Sequence, residues 1–172
     1  NHDGTDLEGW PKNINQTMSS SPVIGDVNLD NNLEIVVSTE KGYIFLFDKY
    51  GEILPGWPVS GYSSNKFYSS PALGDIDGNG DLEIIAGIYQ GAIKAYNSNG
   101  QWIWLNLTWS VDYSSPIVAD VNDDNYSEIV IGTQANNLLA IKYDRTSVNG
   151  WPKTTLSSIH STPALGDLDA DG

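Results

Sequence analysis

A six-residue motif recurs four times along the chain of 172 residues and sets a repeat of about 47 residues. The motif reads Ser or Thr, then Pro, two apolar residues, Gly or Ala, and Asp. Its final residues are Asp26, Asp75, Asp120 and Asp167, which stand 49, 45 and 47 residues apart. A second marker keeps the same period, since the residues at intervals of 47 are Trp10, Trp57, Trp104 and Trp151. Such a period predicts a repeat architecture in which each unit buries its apolar faces against its neighbours.

Each period divides into four short apolar runs that end in turn residues, and this pattern predicts four strands. In the third run of the first repeat, Tyr43, Phe45 and Phe47 alternate with aliphatic residues, so both faces of that strand are apolar. An antiparallel sheet of this kind, repeated every ~45 residues, is typical of a β-propeller blade. Two-helix repeats and a parallel β-helix fit the spacing less well. In the second repeat the predicted strands cover residues 70–76, 82–88, 92–96 and 102–107.

The predicted fold is therefore an all-β β-propeller, with about three and a half four-stranded antiparallel blades that form part of a larger ring. Remaining blades of the same chain or a second copy would complete the ring, because exposed sheet faces of this size are seldom tolerated. We expect residues 1–15 to end a preceding blade. The predicted repeats are about 16–63, 64–109 and 110–156, with the start of a fourth at 157–172.

The chain is strongly acidic, with 22 Asp and Glu residues against 8 Lys and Arg and a net charge of −14. This balance argues against nucleic acid and anionic membranes as partners, since both are bound through Lys and Arg. No apolar run approaches the roughly 20 residues that a membrane-spanning helix needs. The absence of cysteine removes disulfides, thiolate metal sites and cysteine nucleophiles. A cationic partner is expected instead.

An acidic loop follows the first run of every repeat, with oxygen-bearing side chains at positions one, three and five counted from the motif aspartate. The complete loops add a glutamate at position nine. Alternate side chains in a tightly wound loop can turn towards one centre, and Ca²⁺ takes about 6–8 oxygen ligands in flexible geometry. The candidate metal ligands are Asp26, Asn28, Asp30 and Glu34, then Asp75, Asp77, Asn79 and Glu83, then Asp120, Asn122, Asp124 and Glu128, and finally Asp167, Asp169 and Asp171.

The sixth position of these loops calls for a residue that tolerates a positive φ. It is occupied by Asn31, Gly80, Asn125 and Gly172. The competing interpretation, ordinary Asx-rich turns, does not require four loops to agree in register. We expect a structural ion that closes each loop against the second strand, with the apolar residue at position eight, Leu33 or Leu82, anchored in the core.

Other metal chemistries fit these loops less well. An EF-hand needs a bidentate glutamate at position twelve, where this chain has Val37, Ala86 and Ile131. Mg²⁺ demands near-ideal octahedral geometry and keeps its waters. Zn²⁺ prefers nitrogen and sulfur ligands, and neither histidine lies in an acidic loop. Calcium is therefore the predicted ion.

The segment from Ser70 to Ile84, Ser-Pro-Ala-Leu-Gly-Asp-Ile-Asp-Gly-Asn-Gly-Asp-Leu-Glu-Ile, closely resembles the FG-GAP repeat, also called the VCBS-type repeat. This family is known from integrin α-subunit propellers and from many exported bacterial and archaeal proteins. The resemblance extends over essentially the whole chain and implies one calcium ion in each complete loop. It also implies a ligand from the backbone carbonyl at position seven, which is Asn32, Asp81 or Tyr126. Asn replaces the family's Asp at Asn28, Asn79 and Asn122, which keeps a carbonyl oxygen and is expected to lower affinity.

The resemblance implies a non-catalytic calcium-binding module for adhesion or for protein or glycan interaction, at the cell surface or in a secreted protein. The alternative is the accessory propeller of a secreted hydrolase or polysaccharide lyase, since fold does not choose between these roles. No catalytic residue and no organic cofactor is predicted. The sequons at Asn15, Asn106 and Asn125 permit N-glycosylation if the protein is exported.

Aromatic residues and serines outside the loops carry weaker signals. The four repeated tryptophans are expected to pack between blades, whereas Trp102 and Trp109 lie off that register and are the better ligand candidates. His160 stands where the other repeats have Ser or Tyr, so we expect it on a rim or at the blade surface. The paired serines before each first strand are interpreted as strand-entry residues.

Overall fold

The computed structural model describes residues 2–61, 66–89, 91–107 and 111–166, and the side chains of 105–107 are not described. These ranges form three four-stranded antiparallel sheets in which each strand pairs with the next along the chain. Blade 1 contains β1 (Val23–Gly25), β2 (Glu34–Ser38), β3 (Tyr43–Phe47) and β4 (Val59–Ser60). Blade 2 contains β5 (Ala72–Gly74), β6 (Glu83–Ile88), β7 (Ala92–Tyr96) and β8 (Trp102–Leu107). Blade 3 contains β9 (Ile117–Ala119), β10 (Glu128–Gly132), β11 (Asn137–Ile141) and β12 (Lys153–Thr154).

The all-β architecture of four-stranded antiparallel blades is thus confirmed. The first strands are shorter than predicted because the backbone at both of their ends bonds outside the ladder. In blade 2, the Ser70 N–H donates to the Ser115 side chain and the Ile76 N–H donates to the Glu83 side chain. No helix in the described ranges is long and apolar enough to cross a bilayer.

The length of the fourth strand depends on proline. In blades 1 and 3 this strand has two residues and begins directly after Pro58 or Pro152. Proline has no N–H to donate to a ladder, so the strand cannot extend further back along its partner. Blade 2 has Trp104 without a following proline, and its fourth strand runs for six residues.

The core lies between the sheets, and each sheet uses both of its faces. On β6, Ile84, Ala86 and Ile88 pack against blade 1, in a cluster with residues such as Ile44. The intervening Ile85 packs towards blade 3. Because successive side chains of a strand point to opposite faces, a strand buried on both sides has a continuous apolar sequence.

Polar bonds between blades accompany this packing at the first strands. The Ser21 N–H donates to Ser70 Oγ at 2.9 Å, and the Ser70 N–H donates to Ser115 Oγ at 2.9 Å. The preceding serines also cross between blades, since Ser38 Oγ donates to the Ser69 carbonyl at 3.0 Å. The serines that were interpreted as strand-entry residues therefore also link the first strand of one blade to the first strand of the next blade.

The repeated tryptophans form a second set of bonds between blades. Each indole Nε1–H donates to a backbone carbonyl in the turn between the third and fourth strands of the following blade. These bonds join Trp10 to Lys49 at 3.0 Å, Trp57 to Ser98 at 2.8 Å and Trp104 to Tyr143 at 2.6 Å. The predicted position between blades is confirmed for Trp57 and Trp104, and Trp151 packs partly buried against the outer face of blade 3.

The glycine before Trp57 lies at the same contact with the turn of the next blade. Gly56 has a φ of 90°, and a Cβ on it would stand 2.1 Å from the carbonyl oxygen of Asn99 in the next blade. Gly150 occupies the same place in the third repeat, with a φ of 81°, but the atom nearest to its Cβ would be Lys153 Nζ at 3.7 Å. The two glycines therefore share the backbone requirement and differ in the contact with a neighbouring blade.

Replacing each of these glycines by alanine separates the two effects. Gly150→Ala should lower the free energy of unfolding by about 1–2 kcal/mol, the cost of a positive φ in an L-residue. Gly56→Ala should lower it by about 1–3 kcal/mol more, because the new methyl group overlaps a backbone carbonyl. Urea unfolding of both variants measures the difference, and equal losses would show that the contact between blades contributes nothing.

Candidate metal loops

Three loops connect the first strand of a blade to its second, and they wind in the same way. We call residues 26–34 loop 1, residues 75–83 loop 2 and residues 120–128 loop 3. In each loop the aspartate at position one accepts the N–H groups of positions five and six. For position six these bonds join Asn31 to Asp26 at 2.9 Å, Gly80 to Asp75 at 2.9 Å and Asn125 to Asp120 at 2.7 Å.

The side chain at position five closes the second half of each loop by accepting the N–H of position seven. The Asn32 N–H donates to Asp30 at 2.8 Å, the Asp81 N–H to Asn79 at 2.6 Å, and the Tyr126 N–H to Asp124 at 3.0 Å. All three residues predicted to lend a carbonyl at position seven are therefore held by the side chain at position five.

The glutamate at position nine is buried in every loop. Glu34, Glu83 and Glu128 are each 1% exposed. Their Oε2 atoms accept the N–H of position two, and the donors are Val27 at 2.9 Å, Ile76 at 3.0 Å and Val121 at 3.0 Å. Each glutamate begins the second strand, so this bond ties the start of the loop to the strand that follows it.

The predicted anchor at position eight is wrong for loop 1. Leu33 is 58% exposed, whereas Val27 and Ile76 at position two are buried. Leu82 is only partly buried and lies close to Gly25 of blade 1. In loops 1 and 2 the core residue is the one at position two, whose N–H donates to the buried glutamate.

The predicted positive φ at position six is confirmed for Asn31, Gly80 and Asn125, with values of 65°, 93° and 67°. A positive φ was not predicted for position four, yet the φ at that position is also positive in all three loops. The residues and angles are Leu29 at 57°, Gly78 at 78° and Asp123 at 60°. Only the glycine in loop 2 signals this requirement in the sequence.

Loop 2 brings three carboxylates together. Carboxylate oxygens of Asp75, Asp77 and Glu83 all lie within 4.8 Å of one another, and within the described ranges this is the one group of three acidic or histidine side chains so arranged. Burial, helped by the charges of Asp77, Asp75 and Asp81, raises the pKa of Glu83 to about 7 against the opposing hydrogen bond from the Ile76 N–H. The loop thus holds more negative charge than its own contacts stabilise.

Loops 1 and 3 each have a lysine beside them. Lys142 Nζ contacts Asp124 Oδ2 and holds the pKa of Asp124 below its ordinary value. Lys49 Nζ donates to Asn32 Oδ1 at 3.0 Å. The hydrogen bonds from Asn32 lower the pKa of Asp30, with a smaller contribution from the charge of Lys49.

The donor set fits calcium. Carboxylate and amide oxygens are hard ligands, and their number in each loop suits an ion with flexible coordination. In loop 3, the Asn122 side-chain nitrogen is buried without a hydrogen-bond partner in the described ranges. Rotation of that amide by 180° would place its oxygen at the same point, where a cation would satisfy it. The predicted ligands Asp167, Asp169 and Asp171 lie outside the described residues.

Aromatic side chains gather at the opposite ends of the sheets. Tyr68 and Tyr113 precede the first strands of blades 2 and 3, and their rings stack with centroids 5.4 Å apart. Tyr89 follows β6, which runs antiparallel to β5, and its ring meets that of Tyr68 edge-on at 5.1 Å. His160 is exposed, as predicted, with its ring 5.8 Å from that of Tyr113. We call these four residues the tyrosine cluster.

The sequence did not predict the tyrosine cluster as a site, although Tyr68, Tyr113 and His160 stand at equivalent positions of consecutive repeats. The cluster forms because the blades place residues 45 positions apart side by side. Of the predicted ligand candidates, Trp102 is 56% exposed, with Lys94 Nζ 5.9 Å from its ring centroid. Trp109 lies outside the described residues.

Neighbouring loops also touch each other. The Tyr126 ring of loop 3 lies against loop 2, where a Cβ on Gly78 would come within 2.8 Å of a ring carbon. Gly78 thus has two reasons to be glycine, its φ of 78° and this ring. A cavity between the loops is lined by residues of both, including Asp77, Glu128 and Lys142.

The buried glutamate predicts how stability depends on pH in calcium-free buffer. The pKa of Glu83 is about 7 in the folded chain against an ordinary value of 4.5, so between these values the folded state binds more protons than the unfolded state. The free energy of unfolding should therefore fall as the pH rises from about 4.5 to about 7.

Glu83→Gln should reduce that fall and leave the variant more stable than the natural chain at pH 8, because the amide carries no charge. Urea unfolding across the pH range measures both effects, and the exposed Glu8→Gln serves as the control. A variant that keeps the full pH dependence of the natural chain would contradict the assignment to Glu83.

Comparisons with known proteins agree with this architecture. Residues 26–86 match the family model described as FG-GAP-like repeat. No curated protein sequence matches the chain. Similar solved structures include BBS1N in complex with ARL6DN, at 11% identity and a TM-score of 0.60 over 82% of this chain and 38% of that one. BamB from Moraxella catarrhalis has 18% identity and a TM-score of 0.61 over 84% of this chain and 40% of that one.

A protein of unknown function from Bacteroides caccae has 10% identity and a TM-score of 0.56, over 92% of this chain and 53% of that one. The chain therefore spans between about two fifths and half of the length of these structures. BBS1 and BamB are β-propeller proteins. This chain accordingly has a β-propeller fold, and its residues 26–86 carry an FG-GAP-like repeat.

Proposed function

We propose that this chain is a calcium-binding β-propeller module without catalytic activity, which makes contact with a protein or a glycan at the cell surface or in a secreted protein. The observation that carries the calcium part is the winding of three loops around oxygen-bearing side chains, with three carboxylates converging in loop 2. The FG-GAP-like repeat over residues 26–86 includes loops 1 and 2 and supports the same ion.

The proposed role of calcium is structural. When bound, the ion supplies positive charge at a group of carboxylates whose mutual repulsion no ion pair offsets in the described part of loop 2. The buried glutamates already join the loops to their second strands, so a cation held by positions one, three, five and nine would fix both ends of each loop. Fourteen of the 22 acidic residues belong to the four predicted loops, and bound calcium would offset much of the net charge of −14.

The tyrosine cluster is the proposed contact surface. Tyr113 is 49% exposed and His160 is exposed beside it, at the ends of the sheets away from the acidic loops. Tyrosine gives large contact area with little loss of side-chain entropy and is enriched in binding surfaces. A location outside the cell suits the sequons at Asn15 and Asn125, whose side chains are exposed.

Calcium should raise the melting temperature of the metal-free chain, because an ion that binds only the folded state stabilises it. At a hundred times the Kd, one site contributes about 2.7 kcal/mol. Asp75→Asn should reduce this gain, since it removes a converging carboxylate. Asp48→Asn is the matched control, because Asp48 accepts backbone N–H bonds in a turn and an amide oxygen can do the same. A melting temperature that calcium does not change would refute the metal part of the proposal.

The contact surface is tested with a printed panel of neutral, uronic-acid-containing and sulfated polysaccharides. If the tyrosine cluster binds a glycan, Tyr113→Ser should weaken binding about tenfold, a loss typical of a central aromatic contact. Tyr50→Ser replaces a similarly exposed tyrosine in a turn at the loop end of blade 1 and should leave binding unchanged. Equal binding by both variants would exclude the cluster as the glycan contact.

A further inference from the structure

The three loops share one backbone winding but differ in the nearest positive charge. In loop 3, Lys142 Nζ contacts Asp124 Oδ2, and the two side chains are only about one third exposed, at 33% and 34%. In loop 1, Lys49 Nζ bonds to the neutral amide oxygen of Asn32. The ammonium group of Lys142 is thus paired with a charged candidate metal ligand in loop 3. The ammonium group of Lys49 contacts a neutral amide in loop 1 instead.

Both lysines come from the turn between the third and fourth strands. A backbone bond closes this turn in each blade, from Gly51 to Asp48, from Gly100 to Asn97 and from Arg145 to Lys142. Lys142 therefore occupies the place of Asn97 in blade 2, and Lys49 occupies the place of Ser98. The turn beside loop 2 carries no lysine at either place.

Although Lys142 lines the cavity between loops 2 and 3 together with Asp77, loop 2 forms no ion pair in the described ranges. The ion pairs found there are Lys12 with Glu52 and Lys142 with Asp124, neither of which involves loop 2. Loop 2 nevertheless has the converging carboxylates of Asp75, Asp77 and Glu83. The loop with the converging carboxylates is therefore one whose carboxylates are not paired with a lysine in the described ranges.

We propose that Lys142 acts as an internal counter-cation of loop 3, so that loop 2 binds calcium more tightly than loop 3 does. The inference rests on the proposed function, since it concerns how calcium is shared among the loops. The physical reason is competition: a calcium ion in loop 3 approaches an ammonium group that is already paired with Asp124, whereas a calcium ion in loop 2 meets carboxylates that no lysine pairs with. Loop 3 then keeps its shape at calcium concentrations that leave it empty.

A site-resolved titration tests this order. The N–H of position six donates to the aspartate at position one in every loop, so the amide signals of Gly80 and Asn125 report loop 2 and loop 3 separately. Calcium is added to the ¹⁵N-labelled, metal-free chain, and the midpoint of each signal change is recorded. We expect the Gly80 midpoint at a lower calcium concentration than the Asn125 midpoint.

Lys142→Met removes the ammonium group and keeps the length of the side chain. The Asn125 midpoint should move to lower calcium by about fivefold, the equivalent of a partly exposed ion pair, while the Gly80 midpoint moves by less because Lys142 is not paired with a loop 2 carboxylate. Lys153→Met is the matched control, because Lys153 belongs to the same blade and lies 5.7 Å from the centroid of the Trp151 ring. It should move neither midpoint.

The converse variant guards against misfolding of Lys142→Met. Asn97→Lys places a lysine beside loop 2 at the position that Lys142 holds in blade 3, and it should move the Gly80 midpoint to higher calcium by about fivefold. The inference is overturned if the Asn125 midpoint lies at or below the Gly80 midpoint, or if neither variant changes either midpoint. Both results would leave calcium binding itself intact. If no amide signal responds to calcium, the proposed function fails and this inference fails with it.

Discussion

Each sheet has two apolar faces, and a sheet can bury them only against neighbouring sheets or segments. Ile84 on one side of β6 and Ile85 on the other are both fully buried, which is possible only because a blade lies on each side of the middle sheet. Apolar packing alone has little direction, so a stack of sheets held only in this way would be free to slide. The tryptophan and serine bonds supply the direction, because each joins a fixed position of one blade to a fixed carbonyl or hydroxyl of the next.

The ends of the sheets are then available for separate tasks. The acidic loops project from one end. The tyrosine cluster gathers at the other end, built from residues that the core does not need, such as Tyr113 and His160. The loops still reach the core through one residue type, the buried glutamate at position nine, so metal binding and blade stability share a contact. This arrangement allows the ligands of a loop to vary between repeats without any change in the path of the backbone.

Much of this could be read from the sequence, since repeats present the same signal several times. The blade architecture, the strands of the second repeat and the positive φ of Asn31 all follow from periodicity and residue type. Other features depend on neighbours that periodicity does not identify. Two apolar residues flank the acids of loop 1, and no local pattern indicates that Val27, whose N–H donates to Glu34, is buried while Leu33 is exposed. Likewise, the place of Lys142 beside loop 3 depends on how the turn after β11 is aligned with the loop, which no local pattern encodes.

The contact between Tyr126 and Gly78 makes the order of the repeats matter. The ring of loop 3 fits against loop 2 because position four there has no side chain, whereas loop 1 has Leu29 at the same position. If the first and second repeats were exchanged, the leucine would meet the tyrosine ring in the space that now holds only a hydrogen atom. The second repeat is therefore not interchangeable with the first, because its Gly78 leaves the room that Tyr126 of the third repeat requires.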